Sequence, residues 1–443
     1  MAPKASRFRG LGVIVLSCLA AATGASGQVI FNVDSPLDQL DDDTADGVCH
    51  TAANTCTLRA AVMQANKIGG GGATIVLPPG VYNLTRPAIP PYGDDDGDLD
   101  LLSPLSGSPP IAIFGAGPNS TIIDANQVGR IFFVASGRIA SLAGVTLRNG
   151  LAFLSDGGAI DNEGNLTVRQ SRLTGNDAPN GYGGAIQNFG SLVLRQSTLA
   201  GNSAESGGGI SNDASGTLEM SECTLSGNSA IYGGGMYSNA GDTYVMNSSI
   251  VDNNSVDFAG GVYASVDSQF RFYSCTIVGN QADSDVDLNG VCGGVCNSGG
   301  LLNLVNSVVA GNYVSGSPVY DDCFGPIGSY GQNRFGTMPA LCTVTQVGAG
   351  SSSLLGSLSE LGSLRSNGGN TETVAIVGPS SLIDGAEPTL GCPGRQGDPL
   401  LTDQRGGPRT AGAFCDIGAF ELGALPVGVI FADGFEAGNS WAW

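Results

Sequence analysis

From Leu166 onward, short apolar alternations recur along the chain: Leu166 and Val168, Leu192 and Leu194, Leu218 and Met220, Phe270 and Phe272, Leu302 and Leu304. Alternation puts every second side chain on one side of an extended backbone, so each pair predicts a half-buried strand. An apolar-x-Gly-Asn turn follows these segments, once with Asp252 in place of the glycine. Its apolar residue falls at Leu173, Leu199, Leu225, Ile250, Ile277 and Val309, at intervals of 26, 26, 25, 27 and 32 residues. A near-constant interval of this size predicts stacked repeats rather than an ordinary globular core.

Within each period a second strand is entered through "GGAI", "GGGI" or a close variant. Ile160, Ile186, Ile210, Met236, Val262 and Val295 then occupy one equivalent position. Parallel strands one coil apart lie about 4.8 Å from each other, so equivalent residues form columns along the stack. The predicted fold is all-β, a right-handed parallel β-helix of about 25 residues per coil with a short N-terminal capping helix. Paired glycines supply the sharp corners. The turn asparagines Asn176, Asn202, Asn228, Asn253, Asn280 and Asn312 are expected to tolerate left-handed geometry and to hydrogen-bond to the same amide one coil away. A phosphate-cradling role for the glycine-rich turns would need a following helix, and none is predicted.

Composition agrees with a solenoid: 70 Gly in 443 residues and only 13% charged residues. Lys and Arg total 18 against 39 acids, a formal net charge of −21, which disfavours nucleic acid as a partner. Residues 1–27 read as a secretory signal: a basic start at Lys4, Arg7 and Arg9, an apolar run from Leu11 to Ala22, and Ala25-Ser26-Gly27 before the expected cleavage. Lipid attachment at Cys18 is the alternative. No other stretch is long and apolar enough to cross a bilayer as a helix. The expected organisation is a signal peptide at 1–27, an N-terminal cap at 28–72, β-helix coils at 73–320, irregular C-terminal coils and a cap at 321–422, and a tail at 423–443. An exported monomer, secreted or on the outer cell surface, is expected.

Cleavage leaves ten of the 11 cysteines in an oxidising compartment. Sequence proximity pairs Cys49 with Cys56, Cys292 with Cys296, Cys323 with Cys342 and Cys392 with Cys415. Cys223 and Cys275 fall in a column of small residues with Ser171, Ser197, Ser248 and Ser307. They stand two coils apart, about 9.6 Å, beyond the roughly 7 Å reach of a disulfide, so both are expected to be free, buried thiols.

At the N-terminal end, Leu58, Ala61, Val62 and Ala65 share one helical face, and Thr57 is placed to cap that helix. "DDDTADGVCHTAANTCTLRAAVMQAN" followed by "ATIVLPPGVYNLT" resembles the CSLREA-type N-terminal domain of exported bacterial proteins, with Thr57 and Ala60 departing from the name-giving motif. The Gly-Gly-Ala-Ile coils resemble the repeats of polymorphic outer-membrane proteins. "SLRSNGGNTETVAIVGPSSLIDGAE" and "CPGRQGDPLLTDQRGGPRTAGAFCDIGAFE" are similar to the C-terminal region of choice-of-anchor Q proteins. These resemblances span nearly the whole mature chain and imply architecture and export, with no catalytic motif to transfer. The residues after the last clear coil lack the series of ten-residue strands of a membrane barrel. The ending "VIFADGFEAGNSWAW" resembles short tails of other exported bacterial proteins, with sorting or capping as its roles.

Candidate chemistry is sparse. His50, the single histidine, reads as an exposed loop residue without the partners of a triad or zinc site. Asp94, Asp96, Asp98 and Asp100 alternate in "GDDDGDLDLL", and Asp41, Asp42, Asp43 and Asp46 cluster in "DDDTADG". The first set is the candidate for a structural Ca2+ ion, although Gly97 does not fall where an EF-hand loop requires glycine. No other cofactor is expected. Glu163 and Asp213 share a column two coils apart with Phe189 between them, and no catalytic role is assigned to them. Tyr237 and Tyr263 follow inward-facing residues and so point outward, while Tyr182, Tyr232 and Phe258 form another column four residues before the equivalent apolar positions. Such stripes either recognise a cell-surface glycan or protein partner, or shield the corner glycines. The functional expectation is therefore a structural or adhesion role without catalysis, with a polysaccharide lyase or hydrolase as the alternative.

Overall fold

The computed structural model describes residues 28–68, 71–87, 97–102, 110–213, 215–287, 289–317, 320–348, 350, 352–354 and 358–425. The expected export signal, Asp94, Asp96 and the tail from 426 onward lie outside the described residues. The chain forms a right-handed parallel β-helix. Each central coil carries four short strands, where the sequence marks two, one by alternation and one by its Gly-Gly entry. In the coil of Ile186 they are Ile186–Asn188, Ser191–Arg195, Thr198–Ala200 and Ser203–Ser206. These start the first, second, third and fourth ladders named below. Strands of three or four residues are too short for a period of two to register, so alternation reveals only the five-residue second strand.

Stacking follows the predicted register. Ile160, Ile186, Ile210, Met236, Val262 and Val295 pair in succession along the first ladder and are buried together in the core. Leu166, Leu192 and Leu218 do the same on the second ladder. Between the fourth strand of one coil and the first of the next, the chain turns at a glycine corner. Gly183 has φ +71° there, and a Cβ on Gly184 would stand 2.3 Å from the Gly208 carbonyl oxygen of the next coil. Only glycine fits both the angle and the approach.

The asparagines are placed differently from the expectation. Positive φ falls on the residue before each of them, Gly175, Gly201, Gly227, Asp252, Gly279 and Gly311, and not on the asparagines themselves. Their side chains turn inward instead. Asn202 Oδ1 accepts from the backbone N–H and the Nδ2 of Asn176 at 3.1 and 2.9 Å, and each following coil repeats the arrangement through Asn228, Asn253, Asn280 and Asn312. The glycine supplies the turn and frees the asparagine to satisfy backbone groups in the interior, where an unpaired amide is costly.

The N-terminal end departs from the expected boundary. Val29–Asn32 pairs in parallel with Ala73–Leu77, so the stack begins inside the region read as a cap. The helix Leu58–Lys67 covers that end, with Thr57 accepting from the Ala60 N–H at 3.2 Å. At the other end Cys342–Gln346 and Ser352–Leu354 continue the ladders beyond residue 320.

Residues 358–425 form a lateral arm rather than an end cap. The arm runs over the outward face of the third ladder, where Thr224, Ser249, Thr276 and Val308 form one column. Thr224 Oγ1 donates to the Glu372 carbonyl at 2.6 Å, Ser249 Oγ to Gln404 Oε1 at 2.7 Å, and Ala419 N–H to Thr276 Oγ1 at 3.0 Å. Val308 packs with Ala375, Leu382, Ile417 and Phe420 in a separate apolar cluster.

The four expected disulfides are present. Cys223 and Cys275 are free and buried. No helix among the described residues is long and apolar enough to cross a membrane.

Candidate functional site

The outward residues of the first and fourth ladders meet across the glycine corner. On the first ladder one outward column runs Asp161, Gln187, Ser211, Tyr237, Tyr263 and Cys296. On the fourth ladder another runs Tyr182, Ser206, Tyr232 and Phe258. Rings from the two columns touch. Tyr232 lies 6.2 Å from Tyr263, Phe258 lies 6.3 Å from Tyr263, and Tyr182 lies 6.0 Å from Tyr237, measured between ring centroids. The corner therefore folds two outward faces into one groove, and the five aromatic residues singled out in the sequence line it together.

Within the groove the rings also stack along the coil axis. Tyr237 and Tyr263 are nearly parallel at 5.7 Å, as are Tyr232 and Phe258 at 5.9 Å. Faces used in this way are not free to receive a flat guest, so the stacks present ring edges and hydroxyls. Tyr182 is the exception. Ser206 and Ser211 interrupt both columns one coil on, and the ring of Tyr182 spans that interruption to reach Tyr237. It is the most exposed of the five, at 38%.

Carboxylates surround these rings. Burial raises the phenol pKa of Tyr182, helped by the nearby Glu205, Asp213 and Asp156, and that of Tyr232, helped by Asp257 and Glu205. Asp213 accepts from Gln187 Nε2 at 2.9 Å and Ser211 Oγ at 3.0 Å, and burial holds its carboxyl above the usual range. Burial pushes the Asp161 carboxyl up to about 7, with the Arg130 guanidinium opposing and Asp156, Glu163 and Asp98 adding to the rise. Arg130 is held between Asp98 at 2.8 Å and Asp161 at 3.0 Å and donates to the Asp156 carbonyl.

Two acceptors at the lower end of the groove lack a donor. Asp161 Oδ1 and Gln187 Oε1 are buried, sit on register partners in adjacent coils, and receive no hydrogen bond from any described group. By contrast, a cleft of about 240 Å3 between the arm and the coils is lined by amides that engage one another: Gln170 Nε2 donates to Gln196 Oε1, as does Asn370 Nδ2.

The other sequence-level candidates lie elsewhere. Asp98 serves Arg130, and Asp100 pairs in register with Phe133 one coil on. Glu163 lies just past the strand Ile160–Asn162 and is exposed, while Asp213 is buried and pairs in register with Asn239. His50 is half-buried rather than exposed, since its two ring nitrogens engage Asp42 and Asp46, the latter at 2.8 Å. Asp283, Asp285 and Asp287 bring carboxylate oxygens within 4.8 Å of one another, a cluster the sequence reading passed over. Their alternation in "DSDVD" was the available signal. The groove carboxylates Asp156, Glu205 and Asp257 were likewise missed.

The protein is thus a parallel β-helix with an acid-flanked aromatic groove at one corner. Residues 156–328, which include the whole groove, match the family model for a right-handed β-helix region. A crystal structure of the pectate lyase Pel9A is similar in fold at 14% identity, with a TM-score of 0.49 over 90% of this chain and 97% of that chain. No curated protein matches the sequence.

Proposed function

We propose that the protein is an exported, surface-associated β-helix that recognises a partner along the aromatic groove and performs no reaction of its own. The observation that carries this reading is the convergence of Tyr182, Tyr232, Tyr237, Phe258 and Tyr263, from two ladders, into one partly exposed cluster. Clustered tyrosines combine large contact area with hydroxyl groups, the composition of a recognition surface. Four disulfides suit an oxidising, extracytoplasmic setting. A lyase or hydrolase reading is less well supported. Arg130, the cation nearest the groove carboxylates, is already bound by Asp98 and Asp161.

The test is incubation of the purified protein with immobilised neutral and acidic glycans and with cell-surface proteins, scoring retention and new reducing or unsaturated ends. Retention without products, lost in a Tyr237→Ala, Tyr263→Ala double variant, is the expected result. New chain ends, or retention indifferent to both substitutions, would overturn it.

A further inference from the structure

The arm leaves part of the third ladder uncovered, and a cleft opens where the cover ends. Arg172 and Thr198 precede Thr224 in the outward column of that ladder, while the arm makes its contacts from Thr224 to Val308. Leu361–Arg365 and Thr373–Ile376 form an antiparallel hairpin, and the loop between them borders a cleft of about 240 Å3 that both Arg172 and Thr198 line. The loop is tied to the coils: Asn370 Nδ2 donates to Gln196 Oε1 at 3.0 Å, and Thr371 Oγ1 donates to the Glu222 carbonyl at 3.1 Å. At roughly 30 Å3 per water the cleft holds about eight waters, less than a pocket for a drug-sized ligand.

The lining carries one free charge of each sign. The Arg172 guanidinium and the Glu372 carboxylate are exposed, engage no ion-pair or hydrogen-bond partner among the described residues, and do not pair with each other. Gln196 is fully engaged, its carbonyl accepting from Gln170 and Asn370 and its Nε2 donating to Glu222. The Gln170 carbonyl and the Thr198 hydroxyl have no such partner among the described residues. An anionic guest would set its charge against Glu372, and a cationic guest would set its charge against Arg172. A single carboxylate makes a poor site for a divalent ion. With no aromatic residue in the lining, a sugar ring has no face to stack on.

We infer that the cleft binds a short peptide zwitterion of dipeptide size, its carboxylate on the fork of Arg172 and its ammonium on Glu372. The Gln170 carbonyl and the Thr198 hydroxyl supply an acceptor and a donor for the N–H and C=O of the peptide group. The site is separate from the aromatic groove and does not rest on it.

Glycylglycine is the probe, titrated calorimetrically into the full mature protein. N-acetylglycylglycine, which lacks the ammonium, and glycylglycinamide, which lacks the carboxylate, are the controls. One glycylglycine per protein is expected, and each blocked form should bind at least about tenfold more weakly. Arg172→Gln should weaken glycylglycine about tenfold and remove its advantage over glycylglycinamide, while its advantage over the acetylated form persists. Glu372→Gln should do the converse. A merely structural role for either residue would not move the two preferences separately. Arg169→Gln, an equal change of charge at an exposed position of the same coil outside the cleft, should leave the affinity unchanged. No 1:1 binding up to about 10 mM, blocked forms that bind as well as glycylglycine, or equal weakening in Arg169→Gln overturns the zwitterion site. The Tyr237→Ala, Tyr263→Ala double variant should bind glycylglycine as the wild type does, and loss of binding there would overturn a separate site. Failure of the groove reading therefore leaves this inference standing, and its own failure leaves the groove reading untouched.

Discussion

Asn312 gives both its backbone N–H and its side-chain Nδ2 to a single oxygen of Asp322, each at 2.8 Å. The other carboxylate oxygen accepts from the Thr337 N–H at 2.6 Å and from its hydroxyl at 3.1 Å. Asp322 thereby ends the interior asparagine column with a group that only accepts.

Replacing that acceptor should be costly. In Asp322→Asn, one end of the amide must turn donor against donor, toward either Asn312 or the Thr337 N–H, and a loss of about 1 to 3 kcal/mol is expected. Asn228→Ala, in mid-column, removes the acceptor of Asn202 and the donor to the Leu199 carbonyl, and should cost at least as much. Urea unfolding measures both. A change within about 0.5 kcal/mol, as for an ordinary surface site, would show that the column carries little stability.

Thiol counting on denatured, unreduced mature protein, from which Cys18 has been removed with the export signal, should find two free cysteines, Cys223 and Cys275, and native protein should resist alkylation at both. Burial pushes each thiol up to about 12, and each sulfur donates to a nearby backbone carbonyl. Ser248 lies between them in the column, its hydroxyl accepting from the Cys223 N–H at 3.1 Å. Labelling of either thiol in the folded protein, faster than global unfolding, would mean that the column opens locally.

Stability should fall as pH rises from 5 to 8. Burial holds Asp161 and Glu421 at about 7 and Asp322 at about 6, against about 4 in an unfolded chain. Raised folded values mean stability fully present below about pH 4 and lost as pH rises through 6 to 7. His50 has the same sign: hydrogen bonding to Asp46 raises its pKa, so its contribution is present below about 6.5 and lost above its folded value. Melting temperatures at fixed ionic strength decide the matter, and a rise across this window would contradict the burial of these carboxyls.

The arm should detach before the coils unfold. Arg409, fully buried, donates to Asn247 and to the Gly418 carbonyl, and lies 3.7 Å from Glu421. Arg409→Met leaves the buried Asn247 Oδ1 and the Gly418 carbonyl without this donor, a loss of about 1 to 3 kcal/mol, and should expose residues 358–425 to proteolysis while the ladders keep their far-ultraviolet spectrum. Replacing Cys392 and Cys415 with serine should act in the same direction, more weakly. Simultaneous loss of arm and coils would show that the two form one cooperative unit.

The coils were legible because their pairing partners repeat at a fixed interval, so that one alignment placed Ile186 against Ile210 and Tyr237 against Tyr263. The arm was not legible for the opposite reason. Gln404 meets Cys223 across 181 positions with no period to announce it. The groove was half legible. The register found both aromatic columns, but not that the glycine corner would turn them toward each other, nor that Asp156, Glu205 and Asp257 would stand beside them. The asparagines were assigned the right partners and the wrong backbone, because the glycine before each one already supplies the left-handed residue.

The interior amide column has a direction. From Asn176 to Asn280 each side-chain oxygen accepts from the coil before, while each Nδ2 donates to the asparagine ahead as well as to a carbonyl of the coil behind. A coil duplicated anywhere within that stretch would bring its own asparagine, accept from the coil behind it and donate to the one ahead, with no new terminus to satisfy. The solenoid can therefore lengthen or shorten by whole coils at little cost, while the chain must still finish on an acceptor such as Asp322.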